Sequence, residues 1–384
     1  MVLCALTLVC TASACTTGGS HPAPAASAPS GSDCASPPVA PPSGPGGQSV
    51  FLAHVGFPVA IAWAPDNRLF IAERAGTIET DSDGRLKTFA KVPTVTTEPG
   101  GGYSERGLVG LALSPSFATD RFVYALYSTK DRAHTLIVRW TDCGGTGTGE
   151  RTLVTLPAGP DCCHKGGRLD FGPDGELYVT IGDEHSVPPP PAGPTPPNPQ
   201  NLADPRGKVL RYNPDGSVPA DNPFGAADPV FIAGLRNPFG IAFGRSGQLF
   251  VTVNGPTGDA GSPPTGYDTV DFVHEGAVYQ WPYCYGYGHP IPPYSDCHGH
   301  PGPDWSSEKT TVIPTGATWV DAQGPAALAG HFVFCSDAKG LFVVTPGSPH
   351  ATVVPGPAQC HLDVKQGPDH AVYFTDETTI YRLS

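Results

Sequence analysis

The chain has 384 residues, 48 of them glycine and 46 proline, and a formal net charge of −13. Glycine and proline at that density interrupt helices throughout, so the composition argues for an all-β fold with many turns. The acidic balance, with no lysine or arginine cluster, argues against a nucleic-acid partner, because phosphate binding needs basic patches.

Residues 1–15, MVLCALTLVCTASAC, form an apolar run ending in small residues, the pattern of a secretory lead. The run is too short for a membrane-spanning helix. Its end, ASAC, has the form of a lipoprotein cleavage site, which predicts lipidation at Cys15 on the outer face of the cell membrane, with plain secretion as the alternative. Membrane contact would then run only through the lipid. Residues 16–49 are rich in Pro, Ala, Ser and Gly with almost no charge, the composition of a disordered tether. The folded domain is expected over 50–384.

Eight cysteines follow the lead, and none forms a CxxC pair, which favours disulfides over a zinc site. Cys284 and Cys297 enclose a short loop and are expected to pair. Cys335 and Cys360 fall on the last two repeats and could staple them. Cys162 and Cys163 either bond to each other or tie to separate loops. In the second case Cys143 takes one of them and Cys34 the other.

One hairpin pattern recurs along the chain. It is an alternating strand, a turn rich in Asp, Asn or Gly, and a second strand of β-branched and aromatic residues. Copies lie at 57–79, 107–128, 166–184 and 237–256, with weaker ones at 328–346 and 362–384. Six copies at this spacing predict a six-bladed β-propeller. The long connections, 185–206 and 257–315, would then be loops on one face, where function tends to sit.

Three short motifs carry chemistry. His164, in DCCHKGG, stands at the entry to a strand that would begin near the central channel, where an imidazole can act as a general base. Gly166 and Gly167 behind it would let the backbone pass close to a flat ligand. Arg236 and Asn237, in GLRNPFG, place a forked cation and an amide at another strand entry. Gly255 and Pro256, in VTVNGPTGD, sit at a strand end where bare carbonyls, with Asp259, Asp268 and Asp271 nearby, offer oxygen ligands to a hard cation such as Ca2+.

Taken together and in order, HKGGRLDFGPDGELYVTIGD, GKVLRYNPDGSVPADNPF, GLRNPFGIAF, NGP and YQWP resemble the glucose/sorbosone dehydrogenase family of soluble propeller quinoproteins, over about residues 51–384. The resemblance implies pyrroloquinoline quinone (PQQ) with Ca2+ as cofactors, a small-molecule sugar as substrate and an external electron acceptor. It assigns His164 as the base, Arg236 and Asn237 to the quinone oxygens, and the carbonyls of Gly255 and Pro256 to calcium. At the remaining cofactor-binding positions this chain departs from the glucose-oxidising members. Glu105 replaces a glutamine, and Cys163 an aspartate. Cys360 and Leu362 stand for two arginines, and Ala338, with Lys339 adjacent, for a lysine. Fewer cations around a tricarboxylate leave a second reading open, a non-catalytic propeller that binds a carbohydrate or a protein. A metal-dependent lactonase would need a carboxylate-and-amide cage in the channel, and no such cage is evident.

Overall fold

The computed structural model describes residues 34, 39–82, 84–185, 198–256, 265–345, 350–354 and 356–384. They form six four-stranded antiparallel sheets, the blades of a β-propeller. Blade 1 covers 58–91, blade 2 108–157, blade 3 169–232, blade 4 237–306 and blade 5 314–353. Blade 6 takes three strands from 364–383 and its fourth, Gln48–Ala53, from the beginning of the domain, with Gln48 opposite Leu383. The two ends of the domain therefore close the ring. The first strands of neighbouring blades lie against each other all the way round.

Each second strand is a short apolar run buried on both faces, such as Leu177–Ile181 and Phe332–Ser336. That is the pattern of a strand covered by the adjoining blades. Aromatic side chains fill the wedges between blades. Tyr124 meets Phe171 between blades 2 and 3, and Tyr178 meets Phe243 between blades 3 and 4. Phe250 stacks on Phe332 between blades 4 and 5, and Trp63 meets Tyr373 where blade 6 returns to blade 1. Between blades 5 and 6 the Cys335–Cys360 disulfide adds a covalent staple, as expected.

The axis is plugged by an ion pair. Arg168, on the connection entering blade 3, donates to the carbonyls of Val109 (2.6 Å) and Leu362 (2.8 Å). Its guanidinium lies over Phe239, 4.7 Å from the ring centre, and its Nε is 3.7 Å from Asp363 Oδ1. Asp363 Oδ2 accepts from the Ile61 amide at 2.9 Å, and Gly316 abuts the same carboxylate. Groups from all six blades thus meet at one buried pair.

Two expectations are corrected. In blade 5 the first strand is Pro314–Trp319, so the copy at 328–346 covers the second and third strands of that blade. PTGATW does not show the alternation of a first strand and holds a single large apolar residue, Trp319, whereas the next hairpin carries the recurring pattern. Among the cysteines, Cys162 bonds Cys163 and Cys34 bonds Cys143, so the option of splitting the adjacent pair between separate loops does not hold. Cys284 bonds Cys297 as expected. Cys34 lies within the stretch whose composition suggests a tether. Its disulfide, with the Asn67 amide donating to the Val39 carbonyl at 2.7 Å, ties parts of that stretch to the propeller.

Candidate functional site

The open end of each blade's first hairpin is where the fold brings distant residues together. In blade 3, Leu169 pairs with Val179, so the residues before the first strand face those after the second. This register places the His164 carbonyl against the Glu184 amide (3.2 Å) and brings Asp183 to the imidazole. In blade 4, Asn237 pairs with Asn254, which sets Arg236 against Gly255. In blade 6, Val364 pairs with Phe374, which brings His361 to Glu377. All these ends lie on one face of the propeller, because the first strand starts at the end where the second finishes.

His164 is buried and has a positive φ of 53°, which turns its ring into the fold. Nδ1 lies 2.6 Å from Asp183 Oδ1. An ionised carboxylate only accepts, so Nδ1 carries the hydrogen and Nε2 the lone pair. Asp183 is held in turn. Its Oδ2 accepts from Trp281 Nε1 at 2.8 Å, and its amide donates to the Arg236 carbonyl at 2.7 Å. The His185 ring stands edge-on, 3.7 Å from that of His164.

The loop carrying His164 is anchored from below. Fully buried Arg106 donates to the carbonyls of Gly159 (3.0 Å) and Asp161 (2.7 Å). Lys165 pairs with Glu184 at 3.1 Å, both buried. Burial pushes the Glu184 carboxyl up and the Lys165 ammonium down, and each partner's charge opposes the other's shift. The Cys162–Cys163 disulfide closes the segment just ahead of the histidine.

The predicted residues gather around this loop, with changes in role. Glu105 accepts from the Lys165 amide at 3.1 Å, and its own amide donates to the Cys162 carbonyl at 2.9 Å, so it supports the histidine loop. Asn237 is buried, and its Oδ1 accepts from the Gly166 amide at 3.0 Å. Gly166, expected to admit a flat ligand, serves the hairpin's own backbone instead. It has a φ of 62°, and a Cβ there would stand 2.8 Å from the Thr180 carbonyl.

Arg236 spreads over Trp281, 5.7 Å from the ring centre, and donates to the carbonyls of Asn254 (3.2 Å) and Gly255. The Gly255 carbonyl is therefore not bare. The Gly255 amide donates to Asp268 Oδ1 at 2.8 Å, and Asp268 Oδ2 takes the amides of Val312 and Ile313. Asp268 thus serves the backbone. Asp271 is buried within blade 4, where burial and the nearby Asp304 push its carboxyl well above the usual carboxylate range. Asp259 lies outside the described residues. Lys339 is exposed on the turn after the second strand of blade 5, its amide donating to Ser336 Oγ at 2.9 Å. Asp337, two residues before it, groups with His361 and Glu377.

Sequence reasoning does not single out Asp183, Trp281, Arg106 or the Lys165–Glu184 pair. For Asp183 a signal exists: TIGD ends a second strand, and hairpin register alone sets that end opposite the residues entering the first.

A family model described as Glucose / Sorbosone dehydrogenase matches residues 55–382. A curated relative, quinoprotein glucose dehydrogenase B of Acinetobacter calcoaceticus, is 33% identical over 266 residues, 62% of this chain and 53% of that protein. This chain spans about half the length of the curated relatives it matches. Among solved structures, a putative oxidoreductase (glucose dehydrogenase) of Thermus thermophilus superposes with a TM-score of 0.72 at 28% identity, covering 88% of this chain and 99% of that one. The PQQ-bound aldose sugar dehydrogenase of Streptomyces coelicolor shares the fold, with a TM-score of 0.68 at 23% identity over 89% and 99%.

Proposed function

The chain belongs to the glucose/sorbosone dehydrogenase family, and from that premise we propose that it is a PQQ-dependent oxidoreductase acting on a sugar hydroxyl, with His164 as the general base. The observation that carries the reading is the His164–Asp183–Trp281 relay at the mouth of blade 3, adjoining Arg236 and Asn237. PQQ supplies a two-electron acceptor for hydride when bound. The chain's own residues supply the rest. Asp183 fixes the tautomer of His164 and stabilises the positive charge the ring gains as Nε2 takes the hydroxyl proton. Asn237 holds the backbone directly behind the ring.

The fit to the cofactors differs between the two sides of the mouth. On blades 3 and 4, the buried Asn254 Oδ1, which has no hydrogen-bond partner among the described residues, is an oxygen open to Ca2+, whereas the carbonyls of Asn254 and Gly255 accept from Arg236 and would reach an ion only with that guanidinium turned away to the quinone. Arg236 and Asn237 are the groups that would meet a quinone edge. On blades 5 and 6, Asp337, His361 and Glu377 stand where cofactor carboxylates would look for basic side chains. This acidic side is the specific observation behind the second reading, a propeller that holds a carbohydrate or a protein without redox chemistry. Four disulfides support an extracytoplasmic site of action, with the lipid anchor at Cys15, outside the described residues, as part of the same proposal. No helix among the described residues is long and apolar enough to cross a membrane.

The test is a dye-reduction screen over aldoses with the full chain incubated with PQQ and CaCl2. Sugar-dependent reduction that requires PQQ is expected. No sugar-dependent reduction, with no PQQ retained by the chain, would favour the second reading.

A further inference from the structure

We propose that Asp337, His361 and Glu377 form a binding site for a divalent transition-metal ion at the junction of blades 5 and 6, with Zn2+ as the matching probe. The three residues sit on three successive connections of the propeller face described above, and one ligand atom from each lies within 4.8 Å of the others. The Cys335–Cys360 disulfide fixes two of these connections, since Cys335 is two residues from Asp337 and Cys360 precedes His361.

The imidazole geometry points to a metal. His361 Nε2 lies 3.0 Å from the Ala358 carbonyl and, facing an acceptor, carries the ring hydrogen. Nδ1 faces the Glu377 carboxylate, with both oxygens 3.2 and 3.3 Å away. Two ligand atoms bound to one tetrahedral zinc at about 2.0–2.1 Å stand about 3.3 Å apart, which matches the His361–Glu377 spacing, with an Asp337 oxygen within 4.8 Å of both. One nitrogen with two carboxylates favours a first-row transition ion over Ca2+, which takes oxygen ligands. The ring is 28% exposed and the Glu377 side chain 45%, so an ion can enter from solvent. The other such grouping, Asp161 with Cys162 and Cys163, is no ligand set, because both sulfurs are in a disulfide.

Three protein ligands leave a coordination position for water or a ligand oxygen. An ion there stands beside Ala338, Cys360 and Leu362, the positions at which basic residues were expected. It could receive a cofactor carboxylate directly, a consequence that rests on the quinone reading, whereas the metal site itself does not.

The experiment titrates ZnCl2 calorimetrically into the chelator-treated full chain without PQQ, so that its outcome is separate from that of cofactor binding. One equivalent with a dissociation constant of roughly micromolar or below is expected. His361→Ala and Glu377→Gln should each weaken it at least ~30-fold. His370→Ala, which alters the exposed pair His370 makes with Asp321, should leave it unchanged. Co2+ loaded at the same site should give a visible absorption band that His361→Ala abolishes, while thermal melts of both ligand variants stay close to wild type. No saturable binding, or equal affinity in the wild type and both ligand variants, overturns the proposal.

Discussion

His164→Ala is expected to lower kcat for sugar oxidation by roughly a thousandfold, about 4 kcal/mol of barrier, in dye-reduction kinetics with the reconstituted enzyme. On the proposed reading the imidazole is the buried base, with Nδ1 committed to Asp183, and no other histidine among the described residues makes that contact. His185 touches the ring, but its Nδ1 is engaged 2.9 Å from Asp161. Affinity for PQQ should change little, because the variant leaves Arg236 and the Gly255 carbonyl in place. Asp183→Asn acts through the histidine and should cost less, roughly ten- to a hundredfold in kcat with KM nearly unchanged. A His164→Ala enzyme with near-normal turnover would remove the residue from the reaction.

The largest expected effect on stability is at the axis. Arg168→Met should lower the free energy of unfolding by about 3–5 kcal/mol, read from urea denaturation, because it strands Asp363 as an uncompensated buried charge and frees the carbonyls of Val109 and Leu362. Burial already pushes the Asp363 carboxyl above its ordinary range, with Arg168 and Lys365 opposing the shift. The double variant Arg168→Met/Asp363→Asn should therefore recover part of the loss, since no charge is left unpaired. A loss below about 1 kcal/mol in the single variant, or no recovery in the double, would show that the pair does not hold the blades together.

Hairpin periodicity makes the fold legible, because turn residues and aromatic second strands are local features that each blade repeats. The same reliance on local pattern sets blade 5 one strand late: PTGATW is small and unpatterned, and only its place beside Asp363 accounts for Gly316. The place of the candidate site is legible where a residue stands at a strand entry, as with His164, Arg236 and Asn237, which hairpin register brings together. Roles set by partners in other blades are not. Nothing local shows that the Gly255 carbonyl is taken by Arg236, that Asp268 is consumed by backbone amides, or that Trp281, about a hundred residues on in sequence, orients the aspartate behind the base. Cys34 is likewise hidden, because its partner Cys143 is 109 residues away.

Capture of the quinone at this mouth, through blades 3 and 4, is tested most directly by calorimetric titration of PQQ into the full chain, with and without Ca2+. Calcium-dependent binding at roughly micromolar or tighter, abolished in Arg236→Ala, is the predicted result. No binding in either condition would contradict it and leave the propeller as a binding protein.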